Sequence, residues 1–184
     1  MSSTERSLAS NSGDIKLHIG GRQVRAGWMI LDCNPGPHVD RVGNCNDLSF
    51  LPDCSCSEIY ASHVLEHLGY NGEIQKTLEG FHRVLKPGGR VRASVPDLTV
   101  LCQLFLLSGL TEKERFEVMR MMFGGRLDEH DIHHCGLTFE FLDNFMHFAG
   151  FREIKRVAEF KEFDDTSSFR FAGRLISLNV EARK

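Results

Sequence analysis

The chain has 184 residues, 41% hydrophobic and 26% charged, with a net charge of −3. That apolar content is enough to bury a core and excludes a wholly disordered chain. The balance of 22 Lys and Arg against 25 Asp and Glu lacks the basic footprint of a nucleic-acid binder, so nucleic acid is not an expected partner.

The longest apolar stretch, Leu98 to Leu107, is interrupted by Thr99, Cys102 and Gln103. It falls short of the roughly 20 residues that a membrane span needs. Residues 1–14 are polar, have no secretory apolar segment and read as a disordered lead. A single domain is expected over 15–184. The six cysteines include no CxxC pair, which predicts a reduced, cytoplasmic chain.

Strand-like and helix-like runs alternate, which predicts an α/β fold with a mainly parallel sheet. Ile15 to Ile19 is a short apolar strand ending in Gly20-Gly21, and Trp28 to Leu31 is a second ending at Asp32. Asp40 to Val42, Glu58 to Ala61 and Arg90 to Val95 are the third, fourth and fifth. Between the last two, Ile74, Leu78, Phe81 and Leu85 fall on one helical face over Tyr70 to Leu85. Lys86-Pro87-Gly88-Gly89 stops that helix. Further helices are predicted over Asp97 to Leu107, Thr111 to Phe123 and Thr138 to Ala149. The last is expected to turn Phe141, Leu142, Phe145 and Phe148 inward. Two more strands, Glu153 to Phe160 and Leu175 to Ala182, bring the count to seven. Between them, Phe163, Phe169 and Phe171 dot a polar segment that reads as a lid or a dimer contact. Arg83, Lys86, Arg90 and Arg92 read as a solvated basic face.

An open parallel sheet binds ligands beyond the carboxyl ends of its strands. Gly20-Gly21 lets a ligand approach the backbone closely. Asp32, at the next strand end, can accept hydrogen bonds from ribose hydroxyls. The pattern is one of nucleoside recognition.

The run Arg83-Val84-Leu85-Lys86-Pro87-Gly88-Gly89-Arg90, after Ala61-Ser62-His63-Val64-Leu65-Glu66-His67, resembles the class I S-adenosylmethionine-dependent methyltransferases. It is most similar to a small branch of predicted bacterial methyltransferases. Lys16-Leu17-His18-Ile19-Gly20, Val95-Pro96-Asp97-Leu98, Ala149-Gly150-Phe151 and Ser177-Leu178-Asn179-Val180 carry the same resemblance to the C-terminus. The resemblance implies a Rossmann-like seven-stranded sheet with an antiparallel C-terminal strand, and S-adenosyl-L-methionine as cofactor. It implies that Gly20 and Gly21 sit beside the methionine moiety and that Asp32 holds the ribose. It further implies that Asn44, Cys45 and Asn46 read the adenine, and that Ser62 and His63 line the sulfonium.

Two departures stand out. The chain reads Gly20-Gly21-Arg22 where the family has Gly-x-Gly, and only twelve positions separate Gly20 from Asp32. A parallel crossover normally needs about a dozen residues and a helix. The first crossover helix is therefore expected to be missing, replaced by a loop around Gln23 to Gly27. That loss argues against a dinucleotide, whose pyrophosphate binds at a helix N-terminus.

Candidates for a general base lie in Glu129-His130-Asp131-Ile132-His133-His134-Cys135. Histidine titrates near neutrality, so His130, His133 or His134 beside Asp131 suits proton removal. No spacing matches a zinc signature, and no metal is expected. Glu66 and His67 read as structural residues at a helix start. The resulting expectation is methyl transfer to a small-molecule acceptor, oxygen rather than nitrogen, with a sugar or glycan intermediate suggested by the resemblance. The chain is also a candidate homodimer. The alternative is a cofactor-binding but inactive regulatory protein.

Overall fold

The computed structural model describes residues 14–127 and 130–184. Of the expected lead over residues 1–14, all but Asp14 lies outside the described residues, and so does Glu129. Strands β1 (Ile15–Ile19), β2 (Trp28–Asp32), β3 (Arg41–Val42) and β4 (Cys56–Ser62) come first. Helix α1 (Glu73–Val84), strand β5 (Leu85–Pro96) and helices α2 (Leu98–Phe105), α3 (Glu112–Phe123) and α4 (Phe139–Phe148) follow. Strand β6 (Arg152–Val157), a small hairpin of β7 (Arg170–Phe171) and β8 (Arg174–Leu175), and strand β9 (Ser177–Arg183) complete the order.

The main sheet runs β3-β2-β1-β4-β5-β9-β6. Strands β1 to β5 pair in parallel, while β9 runs antiparallel to both β5 and β6. The expected seven-stranded Rossmann-like sheet with one antiparallel strand is present. Among the described residues no helix is long and apolar enough to cross a membrane.

Alternation along the strands sends two different sets of side chains to the two faces. Leu17, Ile19, Leu31, Ile59, Ala61, Val91 and Ala93 meet Ile74, Leu78 and Phe81 of α1 and Leu142 and Met146 of α4 in one apolar core. Burying a side chain of this size contributes about 1.5–3 kcal/mol. The intervening residues of β1, β2, β4 and β5 (His18, Trp28, Glu58, Tyr60 and Arg92) are buried too.

That second face explains the missing helix. Residues 20–27 join β1 to β2 without a helix, and Trp28 N donates to Arg25 O at 3.1 Å to close the turn. Part of the face left open is covered by the segment after β6. Phe160 and Phe163 pack on Trp28 and Tyr60. Tyr60 Oη donates to Asp165 Oδ2 at 2.8 Å, and Asn179 Nδ2 donates to Ala158 O at 3.1 Å and Ser167 O at 2.9 Å. Phe163 is thus a core anchor rather than a lid residue. Phe171 joins the cluster of Leu101, Leu104 and Val118 between α2 and α3.

Other expectations shift for local reasons. Strand β5 begins at Leu85, not Arg90, because Leu85 already pairs with Cys56 and the four residues Lys86 to Gly89 bulge out. Strand β6 stops at Val157, before Phe160. The expected last strand splits into β8 and β9. Helix α4 turns Leu142, Phe145 and Met146 inward, while Phe141 and Phe148 are exposed. The basic run is not wholly solvated: Arg92 is buried and bonded to Glu58, which also accepts from Arg90 Nε at 3.0 Å.

Candidate functional site

Strands β1, β2 and β4 end on one edge of the sheet, and a cleft of about 500 Å³ opens there. That size falls in the range of ligand clefts, roughly 300–1,000 Å³. Gly20 turns the chain at the end of β1 with φ of +70°, and its N donates to Leu31 O at 2.9 Å. A Cβ at Gly20 would meet Val64 Cγ2 at 3.0 Å, so glycine suits both the angle and the space. Asp32 ends β2, and its Oδ1 accepts from Asn34 N at 2.8 Å. Asn44 Oδ1 accepts from Asn46 N at 3.1 Å in the same way. Gly20, Asp32, Asn44 and Cys45 line one end of the cleft.

The other end is built from histidines around one carboxylate. His63 follows β4 with φ of 54°, a left-handed conformation that is uncommon for a residue with a Cβ. It is held there by a bond from its N to Ser94 O at 2.8 Å. Its Nδ1 lies 3.2 Å from Glu66 Oε1, and its Nε2 lies 2.9 Å from Ser177 Oγ. A short 3-10 turn, Leu65–His67, buries Glu66 to 1% exposure. His133 Nε2 sits 3.9 Å from Glu66 Oε1. His67 Nδ1 donates to Ile132 O at 3.0 Å.

The histidine loop is fixed by its backbone. His134 N donates to Glu66 O at 2.8 Å, and His133 N donates to Phe123 O at 3.2 Å. Asp131 accepts from Gly125 N at 3.3 Å and from Leu127 N at 3.1 Å, which ties the two ends of the loop together.

Electrostatics follow from this packing. Burial pushes the Glu66 carboxyl up, but the His63 contact and the charges of His63, His67 and His133 outweigh it and hold it below the usual carboxylate range. Burial holds His133 below the usual imidazole range, against the attraction of Glu66. Burial pushes the Cys45 thiol up to about 12 and the Cys135 thiol up to about 11, so both stay protonated and unreactive near neutrality.

The fold brings Gly20, Asp32, Asn44, Cys45, His63, His130, Asp131, His133 and His134 to the same cleft. Three other candidates stand apart from its lining. The bare Cα of Gly21 makes room for the His18 ring, which a Cβ would approach to 2.5 Å. Asn46 Nδ2 donates to Glu73 Oε1 at 3.0 Å. Ser62 lines an adjoining hollow with His18, Gln23 and Phe163. Sequence reasoning missed Glu66, His67, Arg22 and Thr166, all of which line the cleft. The available signal was the spacing His63-x-x-Glu66-His67, which gathers three ligating side chains on one turn.

Residues 30–93 match a family model described as a methyltransferase domain. A search of curated proteins gives no sequence match. Among solved structures, the chain is similar to an S-adenosylmethionine-dependent methyltransferase from Archaeoglobus fulgidus at 15% identity, with a TM-score of 0.59 over 93% of this chain and 86% of that one. A second, an S-adenosylmethionine-dependent methyltransferase from Mesorhizobium loti, is 17% identical, with a TM-score of 0.56 over 98% of this chain and 95% of that one. A third is the Burkholderia thailandensis 1,6-didemethyltoxoflavin-N1-methyltransferase, seen with its substrate and S-adenosylhomocysteine. It is 17% identical, with a TM-score of 0.58 over 92% of this chain and 70% of that one. The fold is shared throughout at these low identities. The chain thus carries a methyltransferase-domain match over residues 30–93 and shares the fold of S-adenosylmethionine-dependent methyltransferases of known structure.

Proposed function

We propose that this chain is an S-adenosylmethionine-dependent methyltransferase that modifies an oxygen of a small-molecule acceptor, using one domain over residues 15–184. One observation carries the reading: a single cleft joins a nucleoside-like end at Gly20, Asp32 and Asn44 to a histidine-rich end at His63, His133 and His134.

The first end fits the cofactor by its donor set. The Asp32 carboxylate keeps lone pairs for the two ribose hydroxyls beyond the one that Asn34 occupies. Asn44 keeps its amide NH₂ and a second lone pair for an adenine edge. Arg22 also lines the cleft, where the family has glycine. Bound there, S-adenosylmethionine supplies an electrophilic methyl group on a sulfonium. The chain's task is then alignment and proton removal. His134 suits the second role, because its imidazole is exposed at the cleft. Methyl transfer from the bound cofactor to the acceptor oxygen would leave a neutral thioether that keeps the C–S electron pair. The hydroxyl proton passes to His134.

The test is a screen for transfer of labelled methyl to phenols, sugar nucleotides, free sugars and amines. The reading expects turnover on hydroxyl acceptors, and a loss of at least about 100-fold in kcat for His134→Gln. The sugar or glycan class is one arm of that screen. Turnover on amines alone rejects the oxygen assignment. Cofactor binding without turnover on any acceptor favours the inactive regulatory alternative, to which Arg22 in the cleft lends support. A homodimer belongs to the same proposal. Sedimentation equilibrium at a single-chain mass of 20.8 kDa rejects it. The described cysteines are all free thiols, which fits the expected cytoplasmic setting.

A further inference from the structure

We propose that Glu66, His67 and His133 form a binding site for a divalent transition metal of the zinc class at the histidine end of the cleft. Its role in catalysis rests on the methyl-transfer reading above, but its existence does not.

The ligand atoms of these three residues lie within 4.8 Å of one another. Around a tetrahedral zinc, with bonds of about 2.0–2.2 Å, neighbouring ligand atoms are ~3.4 Å apart. Small side-chain rotations therefore close the set. The second observation is independent of spacing. Glu66 is 1% exposed, and among the described residues neither of its carboxylate oxygens accepts a hydrogen bond of good geometry. An ionised carboxylate buried without such bonds is costly, and a cation relieves that cost. His133 Nδ1 is likewise buried without a hydrogen bond of good geometry, facing the Met122 backbone.

The surroundings supply outer support. His67 donates through Nδ1 to Ile132 O, which leaves Nε2 with its lone pair for a metal. His63 Nδ1 lies 3.2 Å from Glu66 Oε1, off hydrogen-bond geometry, and packs beside the carboxylate without occupying either oxygen. Two imidazoles and one carboxylate are the ligand type of zinc, cobalt or nickel. Magnesium and calcium prefer an all-oxygen shell. Three protein ligands leave a coordination position open to the cleft. An acceptor hydroxyl placed there would be oriented and acidified beside His134, and an acceptor with two adjacent oxygens would be favoured over one with none.

The experiment is metal loading of the full chain. The protein is stripped with chelator, dialysed against zinc or cobalt, and its metal content measured. The proposal expects about one zinc per chain for the wild type, and below about a tenth for Glu66→Gln and for His133→Gln. His134→Gln keeps the metal. The cobalt form shows visible ligand-field bands that both ligand variants lack, and circular dichroism of the metal-free variants checks that they fold. Unchanged zinc content in folded ligand variants, or less than about a tenth of a zinc in the wild type, overturns the proposal. Loss of metal with cofactor binding and methyl transfer intact would sink the metal's catalytic role alone. Bound metal without any methyl transfer would instead sink the function proposed above.

Discussion

The ring of His18 lies 4.0 Å, centroid to centroid, from the ring of Phe163. One residue belongs to the first strand and the other to the segment after β6. Their contact joins the first strand to the segment after β6 over the sheet face that the absent crossover helix leaves bare. Trp28 and Tyr60 complete the cluster, at 5.1 Å and 4.9 Å from the same phenylalanine ring.

Phe163 therefore anchors a substitute layer, and its removal should be felt as a core change. Phe163→Ala is expected to cost about 3 kcal/mol, the low end for a buried aromatic truncated to alanine. Urea unfolding measures it. A loss below about 1 kcal/mol would mean that residues 158–168 do not close this face.

His18 makes the same layer sensitive to acid. Burial among Trp28, Tyr60 and Phe163 lowers its pKa to about 4, against a smaller upward pull from Asp165. The unfolded chain takes up a proton as pH falls below about 6.5, while the folded chain resists it until about 4. Stability is thus full above about 6.5 and is lost progressively on the way down, by about 3 kcal/mol in all. His18→Leu should flatten the stability profile over that window. An unchanged slope in the variant contradicts the assignment.

Glu58 and Arg92 are at 4% and 5% side-chain exposure, and their bond ties β4 to β5 on that face. Removing one partner leaves a buried charge behind. Arg92→Met is expected to cost about 3 kcal/mol, since Arg90 and Lys16 still reach Glu58. The double variant Glu58→Leu with Arg92→Met should recover a substantial part of that loss. A double variant that is simply the sum of two large losses would mean that packing, not charge, dominates there.

The sheet was legible because its strands end at Gly20, Asp32 and Pro96, and because Ile74, Leu78 and Phe81 repeat at helical spacing. The missing helix was legible too, from the short distance between Gly20 and Asp32. The substitute layer was not. A polar stretch with scattered phenylalanines does not say which ring turns inward, and Phe163 is buried only because β1 and β2 offer His18 and Trp28 beneath it. Phe141 and Phe148 misled for a related reason, since Leu142 and Met146 take the inward arc of α4. At the site, Gly20, Asp32 and the loop histidines were identifiable by type and position. Glu66 was not, because its burial depends on the His133 loop folding back from 67 residues further along the chain.

The most direct test of the account is calorimetric titration of the wild type and of Asp32→Ala with S-adenosylmethionine and S-adenosylhomocysteine. The account predicts one site on the wild type for each ligand, and at least about tenfold weaker binding in Asp32→Ala, where charge-assisted bonds to the ribose are gone. A wild type that binds neither ligand, or a variant that binds both as tightly as the wild type, would contradict it.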